Sequence, residues 1–265
     1  MKRTPWILIL AAAVSACIGT TGGALVSFNA AAAGPAGVVA GQPLAFDTNG
    51  YHVVLTRAKL HVGALYLNRA RPISGAGDTD CILPGIYVAQ VTTGIDVDLL
   101  SPALQWFPST GEGISDHAIV GEVWLMHGDV NASDDTASVL EIEGTADKGG
   151  ASYPFDGTLT IGQNRQVPVT NPALPSQHPI CKERIVSPVG GVDITPRNGG
   201  SLVLRADPRS FFINVDFSQL EQVSTSPPLY RFADTTQGQP NVNLYRNLHS
   251  TSGVYQFTWT DSTRP

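Results

Sequence analysis

The residues best suited to chemistry fall between positions 117 and 135, in His117-Ala-Ile-Val-Gly-Glu122-Val-Trp124-Leu-Met126-His127-Gly-Asp129-Val-Asn131-Ala-Ser133-Asp134-Asp135. Two of the six His, one of the four Trp and the one Met after the initiator lie here. Imidazole and thioether groups are ligands that suit copper, and Met126 suits Cu(I) in particular. On an extended strand Glu122, Trp124 and Met126 share one face, whereas His117, Val123, Leu125 and His127 share the other. His117 and His127 stand about 33 Å apart on an unbroken strand, so a shared metal would need partners from elsewhere in the chain. The plainer alternative is a core strand, with Trp124 and Met126 filling one layer and His127 at the strand end. The stretch from Asp129 to Asp135 offers a different chemistry. Asp129, Asn131, Ser133 and Asp135 set oxygens at alternate positions, as a calcium site requires. The stretch is not an EF-hand, because Asp134 stands where the loop needs Gly and Leu140 where it needs a bidentate Glu. A polar turn between strands uses the same residue types.

Other enzymatic signatures are missing from the sequence. There is no Gly-x-Ser-x-Gly, His-Glu-x-x-His or Ser-x-x-Lys motif. Asp96, Asp98, Asp207 and Asp216 lie on or near strand-like runs. A glycosidase needs two carboxyl groups close together, but alternating Asp96 and Asp98 more simply mark a solvated face. Trp106-Phe107, Trp124, Tyr230, Tyr245 and Trp259 suit either a sugar-stacking platform or a core. Gly149-Gly150 and Gly199-Gly200 read as hairpin-like turns rather than a phosphate cradle.

Composition limits what can hold these residues in place. Only 14% of the 265 residues are charged, and the net charge is −6, so the basic footprint of a nucleic-acid binder is missing. A hydrophobic share of 42% supports a buried core. Gly and Pro make up about 17% of the chain, which favours short strands joined by turns over long helices. Strand-like runs recur at 24–29, at 51–67 with a break at Gly63, and at 86–100, where Ile95-Asp-Val-Asp-Leu99 alternates strictly. More follow at 117–127, 137–146, 153–161, 201–205, 211–217 and 254–259, with Asp207-Pro208-Arg209 as a turn. One short helix is expected over 243–249. The expected fold is all-β: a single β-sandwich over 24–265, with about ten to fourteen mostly antiparallel strands and long loops.

The N-terminus begins with Lys2 and Arg3, followed by an apolar run from Trp6 to Val14 that is too short to span a bilayer. It ends in Val14-Ser15-Ala16-Cys17, which resembles the lipobox of bacterial lipoproteins. That resemblance implies a signal peptide over 1–16, acylation of Cys17 and a tether over 17–23. With Ile18 after the Cys, it also implies the outer membrane of a Gram-negative envelope. The chain that remains carries −8, since residues 1–16 hold two cations and no acid. Cys81 and Cys181 are then left as a pair, which in an oxidising compartment points to a disulfide.

A second resemblance rests on Gly41-Gln-Pro-Leu-Ala-Phe46 and on Tyr51-His52-Val-Val-Leu-Thr-Arg-Ala-Lys-Leu-His61-Val-Gly-Ala-Leu-Tyr-Leu67. These segments are similar to the N-terminal part of MbnP-like secreted proteins, a group with copper-binding members. In those members His imidazoles and an oxidised Trp hold the metal. Carried over, the resemblance implies a copper site from Trp124 and His127 with His52 or His61, and a periplasmic redox partner. The expected function is therefore a lipid-anchored, non-enzymatic envelope module that binds a ligand or partner. A copper-binding role is the second expectation, and a carbohydrate-active hydrolase or glycan binder is the third.

Overall fold

A computed structural model describes residues 23–71, 85–130, 132, 135–164 and 183–261. Cys17, Cys81, Cys181, Asn131 and Ser133 lie outside the described residues, as do the expected signal peptide over 1–16 and all but Gly23 of the expected tether. Among the described residues sixteen strands form two sheets. In chain order they are β1 (Leu25–Ala33), β2 (Leu44–Thr48), β3 (Tyr51–Val62), β4 (Ala64–Asn68), β5 (Tyr87–Val91), β6 (Ile95–Asp98), β7 (Gln105–Trp106) and β8 (Gly111–Ile114). There follow β9 (Val120–Trp124), β10 (Ser138–Lys148), β11 (Ala151–Thr160), β12 (Ile185–Val189), β13 (Ser201–Ala206), β14 (Glu221–Thr225), β15 (Pro228–Phe232) and β16 (Tyr255–Thr260). One sheet has the order β12-β9-β4-β5-β8-β1-β13-β16, with β7 added on β1, and the other has β14-β15-β11-β10-β3-β2, with β6 added on β3. The fold is thus the all-β sandwich that composition implied. Among the described strands only the β1–β13 and β11–β15 pairings are parallel.

The two sheets enclose one apolar core that runs from Val26 to Phe257 along the chain. Most of the longer strands contribute alternate residues to it, because side chains on an extended backbone point to opposite faces. β3 departs from this pattern. Its register against β10 shifts between Glu143 and Gly144, and the extra residue opposite that point is Thr56. This bulge turns Arg57, Lys59 and His61 outward while Ala58, Leu60 and Val62 stay in the core.

Three local expectations are corrected. Residues 117–127 do not form one strand: β9 spans only Val120–Trp124, and Ala118 makes an isolated bridge to Ile194. Residues 211–217 are not a strand either. Two 3-10 turns, Pro208–Phe212 and Phe217–Gln219, carry Phe211, Phe212 and Phe217 fully into the core. Asn214 between them takes a left-handed φ of 58°. The apolar residues recur at uneven spacings that suit a coiled, inward-packed segment better than an alternating strand. The helix expected over 243–249 is longer, Gln239–Leu248, and buries Leu244, Tyr245 and Leu248. With the single turn Ile161–Asn164 as α1, it is α2. No helix among the described residues is long and apolar enough to cross a membrane.

Asp216 links the 3-10 segment to the sandwich. Its Oδ1 accepts from the Tyr51 hydroxyl at 2.5 Å and from the Ser218 hydroxyl at 2.7 Å. These hydrogen bonds, Tyr51 foremost, hold its carboxyl at a pKa of about 2. A folded value below the ordinary range means that ionised Asp216 stabilises the fold above about pH 4, and that this contribution disappears as pH falls toward 2. Asp216→Asn is expected to lower the melting temperature at pH 6 and to flatten its decline between pH 4 and 2. Melting curves across that range check this; an acid limb unchanged from wild type contradicts it.

Candidate functional site

The site arises where the chain passes from one sheet to the other. β3 ends at Val62 in one sheet and β4 begins at Ala64 in the other, with Gly63 as the corner. The corner leaves no room for a side chain: a Cβ on Gly63 would lie 2.2 Å from the Met126 carbonyl oxygen and 2.7 Å from its Cγ. β9 pairs with β4 so that Trp124 stands opposite Ala64, and the Gly63 amide donates to the Trp124 carbonyl at 2.9 Å. Residues 125–127 therefore run beyond β9, across the corner and toward the end of β3.

The result is that His127 lies on His61, with ring centroids 4.6 Å apart and planes inclined by 38°. His61 is buried to 8% exposure, whereas His127 is exposed. β6 supplies the third member, since His61 stands opposite Asp96 in the β3–β6 register. Asp96 Oδ1 is 2.7 Å from His61 Nδ1, and Lys59 Nζ is 3.1 Å from Asp96 Oδ2. Partial burial raises the Asp96 pKa, but hydrogen bonds from His61 and Lys59 outweigh this and keep the carboxyl below its ordinary value. A carboxylate on Nδ1 favours the tautomer protonated there, which leaves the Nε2 lone pair for a ligand. Gly94 gives that nitrogen space, because a Cβ at position 94 would lie 2.9 Å from Nε2.

The other copper candidates do not converge on this pair. His52 sits at the opposite end of β3, exposed, with its Nδ1 2.9 Å from Asp47 Oδ1. Trp124 faces outward on the other sheet. Its indole donates to Glu122 Oε2 at 2.9 Å, and its ring packs on Tyr66 at 4.5 Å. Glu122 is fully buried there and also accepts from Asn68 at 2.8 Å and from the Tyr87 hydroxyl at 3.4 Å. Burial raises its pKa despite these donors. The carboxyl thus serves to seat the aromatic rings. Met126 is half-buried at the corner beside Gly63. His117 is exposed, 3.7 Å from Asp193. Among the described residues no group of three or more His, Cys, Asp or Glu is arranged as a metal cage, so any metal here would rest chiefly on the two imidazoles.

The loop that carries His127 is held from beneath by Arg184, which is wholly buried. Its Nε lies 3.0 Å from Asp135 Oδ2, and its Nη1 donates to the Asp129 carbonyl at 3.0 Å and to the Val130 carbonyl. The Leu125 amide in turn donates to the Arg184 carbonyl. This arrangement bears on the calcium expectation. The Asp135 carboxylate already faces a fixed cation, and the Asp129 carbonyl already has a donor, so both ends of the oxygen-rich stretch are engaged by the guanidinium.

The resemblance set His127 with Trp124 and either His52 or His61; the structure brings only His61 to His127, and Asp96, read from the sequence as a solvated face, joins them. Cross-strand partners 35 residues apart leave no local signal. Compared with family models, curated proteins and solved structures, the chain matches none. Arg184→Met is expected to cost about 3–5 kcal/mol of stability, because it leaves Asp135 buried without its counter-charge. Urea unfolding measures this, and a loss below about 1 kcal/mol, the range of an exposed ion pair, would contradict the role given to Arg184.

Proposed function

We propose that this chain is a lipid-anchored protein of the bacterial cell envelope that binds a ligand rather than transforming it. The ligand is copper, held by His61 and His127. The observation that carries this reading is the contact between the two imidazoles at the sheet corner, with Asp96 on the far nitrogen of one of them. Carboxylate–imidazole pairs of this kind orient a metal-binding ring and raise its basicity. Imidazole and thioether donors favour copper over calcium or magnesium, and Met126, next in sequence to His127, adds a soft atom to the neighbourhood. Trp124 and His52 take no part, since each is engaged elsewhere. The anchor is supported by the Val14-Ser15-Ala16-Cys17 segment.

The residues have simple roles. His61 presents a nitrogen fixed by Asp96, His127 closes over it from the exposed side, Gly94 leaves the space that the His61 ring needs, and Gly63 lets the segment bearing His127 cross the corner. Copper, when bound, would supply one-electron chemistry to a periplasmic redox partner.

The test uses the full chain exported to a periplasm and purified from the membrane fraction. Elemental analysis is expected to find copper. His61→Ala and His127→Ala each lose it, Asp96→Asn weakens affinity by about 10–100-fold, and His52→Ala and Trp124→Phe retain it. Copper-free wild-type protein overturns the metal assignment and leaves the envelope module without it. An intact mass without acyl groups on Cys17 overturns the anchor.

A further inference from the structure

The end of the β12-to-β16 sheet at which the described chain begins exposes a row of apolar side chains beside the Arg69–Asp116 ion pair. The pairing registers place its residues side by side. Leu25 at the start of β1 stands opposite Ile114 at the end of β8. β8 pairs with β5, whose first residue, Tyr87, stands opposite Asn68 at the end of β4. Asn68 stands opposite Val120, the Ile119 amide donates to the Asn68 carbonyl, and the Arg69 amide donates to the Ile86 carbonyl. Leu25, Ile86, Tyr87 and Ile119 thus form a row along one rim, and they are 84%, 48%, 39% and 41% exposed. A groove of about 590 Å³ lies among Leu25, Val26, Tyr87, Val88 and Ile114 in the same place. Each exposed apolar side chain on this rim is costly in water, and clustered apolar surface marks an interaction site more than scattered residues do.

What this rim meets follows from where the chain enters it. The Ala24 amide is pinned to the Ser115 hydroxyl at 2.9 Å, so the N-terminal segment leaves the sandwich here. Cys17 lies six residues before Gly23, and a chain of that length reaches at most about 20 Å. We infer that this rim is the membrane-docking face: Leu25, Ile86, Tyr87 and Ile119 enter the boundary between headgroups and acyl chains of the phospholipid bilayer that holds the anchor. The inference rests on the acylated Cys17 of the proposed function. A lipid anchor alone fixes distance, whereas a rim of clustered apolar side chains also fixes orientation, since burying all of them in the apolar layer at once needs this end to face the bilayer. Docking at this end directs the opposite end of β1, where Val39 follows, away from the bilayer.

The experiment reconstitutes the full acylated chain into phosphatidylethanolamine and phosphatidylglycerol vesicles that contain a phospholipid with a photoactivatable diazirine in its acyl chain. Adducts are mapped by peptide mass spectrometry after illumination. Labelling is expected to be several-fold higher at Leu25, Ile86, Tyr87 and Ile119 than at Val39, Ile213 and Val223, which are exposed apolar residues elsewhere. The double variant Leu25→Ser with Ile119→Ser is expected to lose most of this labelling while the mass added by acylation stays the same. Equal labelling of the two groups on an acylated chain overturns the docking face and leaves the anchor standing. A chain whose intact mass lacks the acyl group overturns both.

Discussion

Gly63 occupies a point where the backbone leaves one sheet for the other while a second segment crosses directly over it. Its Cα faces the Met126 carbonyl with less space than a methyl group needs. The meeting of His127 with His61 depends on that close approach. β3 ends with His61 facing outward on one sheet, and β4 begins the other sheet with Tyr66 facing outward under Trp124. A side chain at 63 would push the 125–127 segment off the corner. His127 would then lose its contact with His61, and β9 would lose the hydrogen bond from the Gly63 amide. The corner also explains why Trp124 and His127, three residues apart, serve different surfaces: the chain between them crosses from one sheet to the other.

The buried ionic groups support the same region. A chain with few charges places a wholly buried guanidinium under the loop that bears His127 and a wholly buried carboxyl under the Tyr66–Trp124 pair. Burying such groups costs free energy unless each is paired and hydrogen-bonded. Arg184 meets that condition through Asp135 and two loop carbonyls, and Glu122 meets it through Asn68, Trp124 and Tyr87. Both satisfy groups on irregular backbone or on large aromatic rings, and so hold the surfaces flanking the corner in one arrangement. The rim that carries Leu25 and Tyr87 begins just beyond the Asn68–Glu122 pair, so the docking face and the aromatic seat meet at Tyr87.

Some of this was legible in the residues themselves. The strict alternation of Ile95 to Leu99 and the break at Gly63 are local signals, and the strands lie where they indicate. Phe211 to Phe217 shows how alternation misleads. Its apolar residues are so numerous that a strand and a coiled, fully buried segment read alike, and only the surrounding aromatic cluster of Phe155, Phe212, Phe217 and Phe232 favours the second. The bulge at Thr56 is likewise silent in the sequence, yet it alone sets His61 on the outer face with His52.

By itself the sequence determined an all-β sandwich, from few charges, abundant Gly and Pro and recurring apolar alternation, because these are properties of short stretches of chain. It also contained the imidazoles and carboxylates of the site. Tertiary structure alone decided which of them meet. His61 finds Asp96 across a strand pair and His127 across a sheet corner, and the Asp135 carboxylate that looked free for calcium faces Arg184 instead. Residue types fix what an atom can do. Which atoms come within 3 Å of one another depends on strand register, on a bulge and on a corner that only the packed sheets impose.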